Sequence, residues 1–149
     1  MTWAGGYALP VPRTATCLEL ALPAVPASVR RAREAVGEAV ASAVGDHRLA
    51  DDVRLCVSEA VSNVVRHAYD GARRGGAEIV VEREDGELKV VVRDTGKGVT
   101  PGKRAKSGGF GLKIIDKLTS TVTFTSKPDA GTEVRMVFPL SGDSHPGDG

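Results

Sequence analysis

The run from Asp51 to Tyr69, DDVRLCVSEAVSNVVRHAY, reads as one amphipathic helix, and that decides most of what can surround it. Val53, Val57, Ala60, Val61, Val64 and Ala68 fall on one arc at a period of about 3.6 residues, the arc by which a helix meets a core. Glu59, Asn63 and His67 are spaced by four. At about 100° per residue this stacks three polar side chains within about 80° of arc, opposite the apolar ones. A helix of this kind is half buried and still aims a carboxylate and an amide into a cleft. The rest of the chain has to supply the other wall.

Ahead of it, Thr14 to Leu22 alternates loosely before Pro23 and Pro26, which predicts a strand at a sheet edge or in a dimer contact. From Ala27 to Val44 the residues Val29, Ala32, Val36, Ala39, Val40 and Ala43 recur at helical spacing and the helix closes near Gly45. Arg30, Arg31, Arg33, Glu34 and Glu38 form its other side, an exposed face or a partner contact. After the Asp51 to Tyr69 helix, Glu78 to Arg83 and Glu87 to Asp94 are two strands joined at Asp85-Gly86, the strongest short hairpin signal in the chain. Leu88, Val90 and Val92 share a face of the second strand, and by the two-residue period Asp94 points the same way, toward the helices. A carboxylate aimed at the core layer requires a reason.

Thr95 to Gly109 is a glycine-rich loop carrying Lys97, Lys103, Arg104 and Lys106, and a loop of that length inside a compact domain is functional or disordered. Gly111 to Leu118 is a short helix with Leu112, Ile115 and Leu118 apolar. Thr121 to Ser126 and Thr132 to Phe138 are strands joined by a tight turn through Pro128 to Gly131. On them Val122 and Phe124 share a face, as do Thr132, Val134, Met136 and Phe138. Helices and antiparallel hairpins segregated in this order predict a two-layer α/β sandwich over residues 14–140, with tails at 1–13 and 141–149.

The chain has 20 basic and 19 acidic residues among 149, a net charge of +1, so nothing in its electrostatics calls for nucleic acid or a membrane surface. No apolar run approaches the roughly 18 residues of a membrane span, and the N-terminus lacks a signal-peptide layout, so the expected location is the cytoplasm. Cys17 and Cys56 show no metal-ligand spacing and are expected to be reduced and mostly buried.

Four local patterns occur in a fixed order: Glu59-x-x-x-Asn63 on the helix, Asp94-x-Gly96-x-Gly98 at a strand end, Gly109-x-Gly111-Leu112 opening a short helix, and Gly131-Thr132 opening the last strand. Together they resemble the N, G1, G2 and G3 boxes of the GHKL superfamily, the ATPases shared by gyrase, heat-shock 90 chaperones, histidine kinases and the mismatch-repair protein. The resemblance covers about residues 14 to 140. It implies the Bergerat fold, a mixed, mainly antiparallel sheet covered on one face by helices, with ATP and Mg2+ as ligands. By that resemblance Asn63 holds magnesium, Glu59 is the general base, Asp94 accepts from the adenine amine, and Thr132 holds the ring directly or through water. Gly96 and Gly98 let the backbone approach, and Gly109 and Gly111 offer amides to phosphate. The loop between Lys97 and Gly108 resembles the ATP lid, and Lys103, Arg104 and Lys106 all remain candidates for the γ-phosphate.

The phrase EAVSNVVRHAY and the small size look most like the anti-sigma factor serine kinases. This implies a regulatory protein kinase that binds a sigma factor, phosphorylates a small antagonist protein, and forms a homodimer through its first strand and helix. A non-catalytic ATP-binding module that regulates a partner is the alternative. A sensor histidine kinase fragment would need a phosphoacceptor helix, and none of His47, His67 and His145 lies on one.

Overall fold

A computed structural model describes residues 14–69, 75–98 and 112–140. Its elements are β1 (Ala15–Pro23), α1 (Ala27–Val44), α2 (His47–Asn63) continued by a π-helical turn (Val64–Ala68), β2 (Gly76–Glu84), β3 (Glu87–Asp94), a short helix α3 (112–118), β4 (Thr121–Lys127) and β5 (Gly131–Pro139). The strands lie in the order β1-β2-β3-β5-β4, and each of the four ladders is antiparallel. β1 is therefore an edge strand, one of the two places expected for it.

The two-residue period sorts the sheet into two faces. Ala77, Ile79 and Val81 of β2, Leu88, Val90 and Val92 of β3, and Val134, Met136 and Phe138 of β5 are buried under the helices. Val36 and Val40 of α1, Val53, Val57 and Val61 of α2, and Ile115 of α3 meet them from above. Each of these side chains larger than alanine contributes about 1.5–3 kcal/mol by leaving water, so the two layers hold together through this one interface. The outer face is open to solvent except at Val91, which is 5% exposed. Across it Arg93 sits between Glu78 and Glu133 in register, with Nη1 3.4 Å from Glu78 Oε1 and Nε 3.5 Å from Glu133 Oε1. Exposed pairs of this kind are worth about 1 kcal/mol or less.

α1 ends as its sequence predicts, on Gly45, whose N–H donates to the Ala41 carbonyl. α2 begins earlier than the apolar period indicates, at His47, because Asp46 caps it: its Oδ1 accepts from the Leu49 N–H at 3.0 Å. The two helices pack closely where Gly37 leaves room for the Arg54 guanidinium, itself held by Asp51 at 2.6 Å. At the other end of α2 the α pattern stops at Asn63, and the next turn widens to π spacing. Such bulges concentrate at functional sites. Cys56 is fully buried, whereas Cys17 is only half-buried beside the irregularity between Thr16 and Leu18 in β1, which corrects the expectation that both are mostly buried. Burial pushes the Cys56 thiol up to about 12, with Asp52 and Glu59 adding to the shift. That keeps it a thiol.

Candidate functional site

Asp94 is the last residue of β3, opposite Ala77 on one side and Thr132 on the other. Its side chain faces the helical layer, where it is 8% exposed. Burial pushes its carboxyl above the ordinary carboxylate range, and hydrogen bonds from the backbone N–H groups of Gly96 and Thr132 pull the other way. The Gly96 bond is 2.8 Å, to Oδ1. A carboxylate offers about four acceptor positions. Two backbone donors leave capacity for a donor from a ligand. Beside it, the Thr132 hydroxyl is 2.9 Å from the Ser126 hydroxyl, which gives the end of the β4–β5 pair a polar lining.

The chain after Asp94 is held from both sides. The Lys97 N–H donates to the Ala68 carbonyl at the end of the π turn, at 2.8 Å, and the Asp129 N–H of the β4–β5 turn donates to the Lys97 carbonyl, at 2.6 Å. Both glycines are required by this clamp. A Cβ on Gly96 would run into the Ala68 carbonyl, and Gly98 has φ +69° with Lys127 backbone against the place its Cβ would take. The pattern read from sequence as backbone approaching a ligand is, among the described residues, also backbone approaching backbone.

Glu59 and Asn63 lie one α-turn apart on α2 and are both half-buried. His67 does not complete the stack. The π turn removes it from the α register, and it is exposed, on the rim. Leu112 opens α3 and is half-buried. Lys103, Arg104, Lys106, Gly109 and Gly111 lie outside the described residues.

Sequence reasoning missed Tyr69. Its hydroxyl donates to the Gly76 carbonyl at 2.9 Å and accepts from the Thr95 N–H at 3.2 Å, so it joins the end of the α2 segment to the start of β2 and the exit of β3. The signal was a tyrosine closing an amphipathic helix in a chain with only two tyrosines.

The chemistry present suits a magnesium nucleotide. Asp94 offers a buried acceptor for an amine, and Gly96 and Gly98 keep the adjoining backbone free of side chains. Among the described residues no three His, Cys, Asp or Glu side chains gather as a metal cage. One amide oxygen, that of Asn63, matches a magnesium ion that keeps phosphate and water in its shell.

The family model for the histidine kinase-like ATPase domain matches residues 22–138. The chain belongs to that family. As a histidine kinase-like ATPase domain it is 31% identical over 101 residues to the anti-sigma F factor of Bacillus velezensis and 30% identical over 101 residues to that of Bacillus subtilis. Each match covers 60% of this chain and 69% of the relative. It is 31% identical over 96 residues to the anti-sigma F factor of Clostridium botulinum, covering 57% of this chain and 67% of the relative. A crystal structure of RsbU and RsbW domains from Mycobacterium tuberculosis shares its fold, with a TM-score of 0.64 at 23% identity. That match covers 83% of this ATPase domain and spans 32% of the other chain. Among the described residues, no helix of the domain is long and apolar enough to cross a membrane.

Proposed function

We propose that this ATPase domain binds Mg-ATP and works in the cytoplasm as a serine/threonine protein kinase and anti-sigma factor, holding a sigma factor and phosphorylating a small antagonist protein. The observation that carries the nucleotide site is the buried Asp94 carboxylate, fixed by the Gly96 N–H at 2.8 Å and facing the layer that contains Glu59 and Asn63. The anti-sigma role rests on the relatives that bear that name.

In this reading Asp94 binds the exocyclic amine of adenine, Thr132 supports the ring, and Gly96 and Gly98 form the floor of the base site. Asn63 holds Mg2+, which when bound would neutralise phosphate charge. Glu59 takes the proton from the attacking hydroxyl, a general-base role worth about 10²–10⁴ in rate. Gly109 and Gly111, which precede Leu112 in the sequence, give amide hydrogens to phosphate, and Lys103, Arg104 and Lys106 belong to the lid. β1, an edge strand, and α1 would form the homodimer contact.

Two measurements test this. Affinity capture with the tagged protein, in Mg-ATP and again in Mg-ADP, should recover a sigma factor with ATP and a small antagonist with ADP. Recovery of neither would sink the anti-sigma role. With the antagonist in hand, Glu59→Ala should keep Mg-ATP affinity and lose phosphotransfer by about 10²–10⁴-fold. Normal transfer by this variant removes Glu59 as the base, and a wild type that binds ATP but transfers nothing is a non-catalytic ATP-binding module.

A further inference from the structure

The β2–β3 ladder ends in an unusual way at the candidate base site. In an antiparallel pair, hydrogen-bonded and non-bonded residue pairs alternate. Counted by twos from Glu84–Glu87, which flanks the two-residue turn, the next bonded pair beyond Ala77–Asp94 would be Gly76–Thr95. The Thr95 N–H donates instead to the Tyr69 hydroxyl, and that hydroxyl donates to the Gly76 carbonyl. A side-chain oxygen occupies the rung.

We propose that Tyr69 is the positioning residue of the adenine site: by standing in for the last rung between Gly76 and Thr95 it holds the exit of β3 open and sets the direction of the Asp94 carboxylate. This rests on the nucleotide reading given above. Three consecutive connections converge on the same short segment. Tyr69 fixes Thr95, Asp94 Oδ1 fixes Gly96, and the Ala68 carbonyl fixes Lys97. Ala68 ends the π turn that continues the helix carrying Glu59 and Asn63, and Tyr69 is the extended residue that follows it. The magnesium-and-base helix and the base-reading carboxylate are thus tied at one point, and Tyr69 is its side-chain member. Removing the hydroxyl lets the Thr95 N–H close directly on the Gly76 carbonyl. The strand end is then drawn in by the space of one oxygen, and the carboxylate turns with it.

The variant is Tyr69→Phe, which keeps the ring and deletes only the bridge. Binding is measured for Mg-ATP and for Mg-ITP, whose base has a carbonyl where adenine has its amine. The wild type is expected to prefer ATP, because ATP presents Asp94 with an amine donor at C6 where ITP presents a carbonyl acceptor, the N1–H of ITP lying one ring atom away. Tyr69→Phe should weaken ATP binding roughly five- to tenfold and leave ITP nearly unchanged, so the ATP/ITP ratio collapses; a displacement of a fraction of an ångström is enough for an effect of this size. A general loss of folded protein would lower both nucleotides together and leave the ratio standing. An unchanged ratio in a folded Tyr69→Phe protein overturns the proposal while the nucleotide site survives. A wild type that binds neither nucleotide overturns the nucleotide reading and this proposal with it, whereas one that binds both equally leaves a nucleotide site and overturns the reading of the base by Asp94, on which the proposal rests. Amide exchange on the wild type gives a reading that needs no variant. The Thr95 and Gly96 amides should be protected without ligand and gain protection with ATP more than with ITP. A Thr95 amide exchanging at the solvent rate contradicts the bridge.

Discussion

Asp94 shows how one residue trades stability for a site. Burial is the larger influence on its carboxyl and raises it above the ordinary value of 3.8, against the two backbone donors. A carboxyl raised in the folded state favours the protonated form. Its contribution to stability is fully present below the unfolded value and is lost as pH rises through the folded one, so the ionised group at neutral pH is a cost to the ligand-free protein. Asp94→Asn should therefore melt at least as high as the wild type at pH 7, with its relative advantage shrinking toward pH 3.5. Thermal unfolding of both proteins at the two pH values checks this, and a variant that melts well below the wild type at pH 7 would show that the carboxylate is needed to hold Gly96 and Thr132 in place. The two-residue period placed Asp94 correctly because a strand leaves a side chain only two directions. The same logic was blind to Tyr69, whose role depends on a helix end meeting two strand ends that are adjacent in space and distant in sequence.

At the scale of elements, most of the fold was legible because its pattern is binary. α1, β3 and the Asp85-Gly86 hairpin lie where apolar spacing and turn chemistry put them, and Glu59 and Asn63 share a face because α spacing holds through that turn. The ends of α2 were less legible, for two physical reasons. Its first turn is specified by the Asp46 cap and not by apolar residues, and its last turn widens to π spacing, which no apolar count reveals and which displaces His67 from the line of Glu59 and Asn63. α1 carries one local conflict. Ser28, at its first turn, is 1% exposed and its hydroxyl has no hydrogen-bond partner among the described residues. A buried unsatisfied polar group costs about 1–3 kcal/mol, and alanine is the better helix former. Ser28→Ala should raise the denaturant midpoint by an amount equivalent to about 1 kcal/mol of stability. A lower midpoint would show that the hydroxyl does stabilising work in the folded state.

For the molecule as a whole, the architecture follows from a sheet with one apolar face and helices each with one apolar stripe, and the candidate site forms where that shared interface ends, at the tips of β3, β5 and α2. Sequence order supplied the boxes, and the structure adds how the second of them is built: Asp94, Gly96 and Gly98 lie on a segment clamped between the π turn and the β4–β5 turn. The lid roles of Lys103, Arg104 and Lys106 and the phosphate role of Gly109 and Gly111 rest on the resemblance, since these residues lie outside those described. The account stands or falls on a nucleotide being read by Asp94. The most direct measurement is a calorimetric titration of the wild type and of Asp94→Asn with Mg-ATP. The account expects one saturable site per chain in the wild type and its loss in a folded Asp94→Asn protein. Equal affinity in the two proteins, or no binding by the wild type, would contradict it.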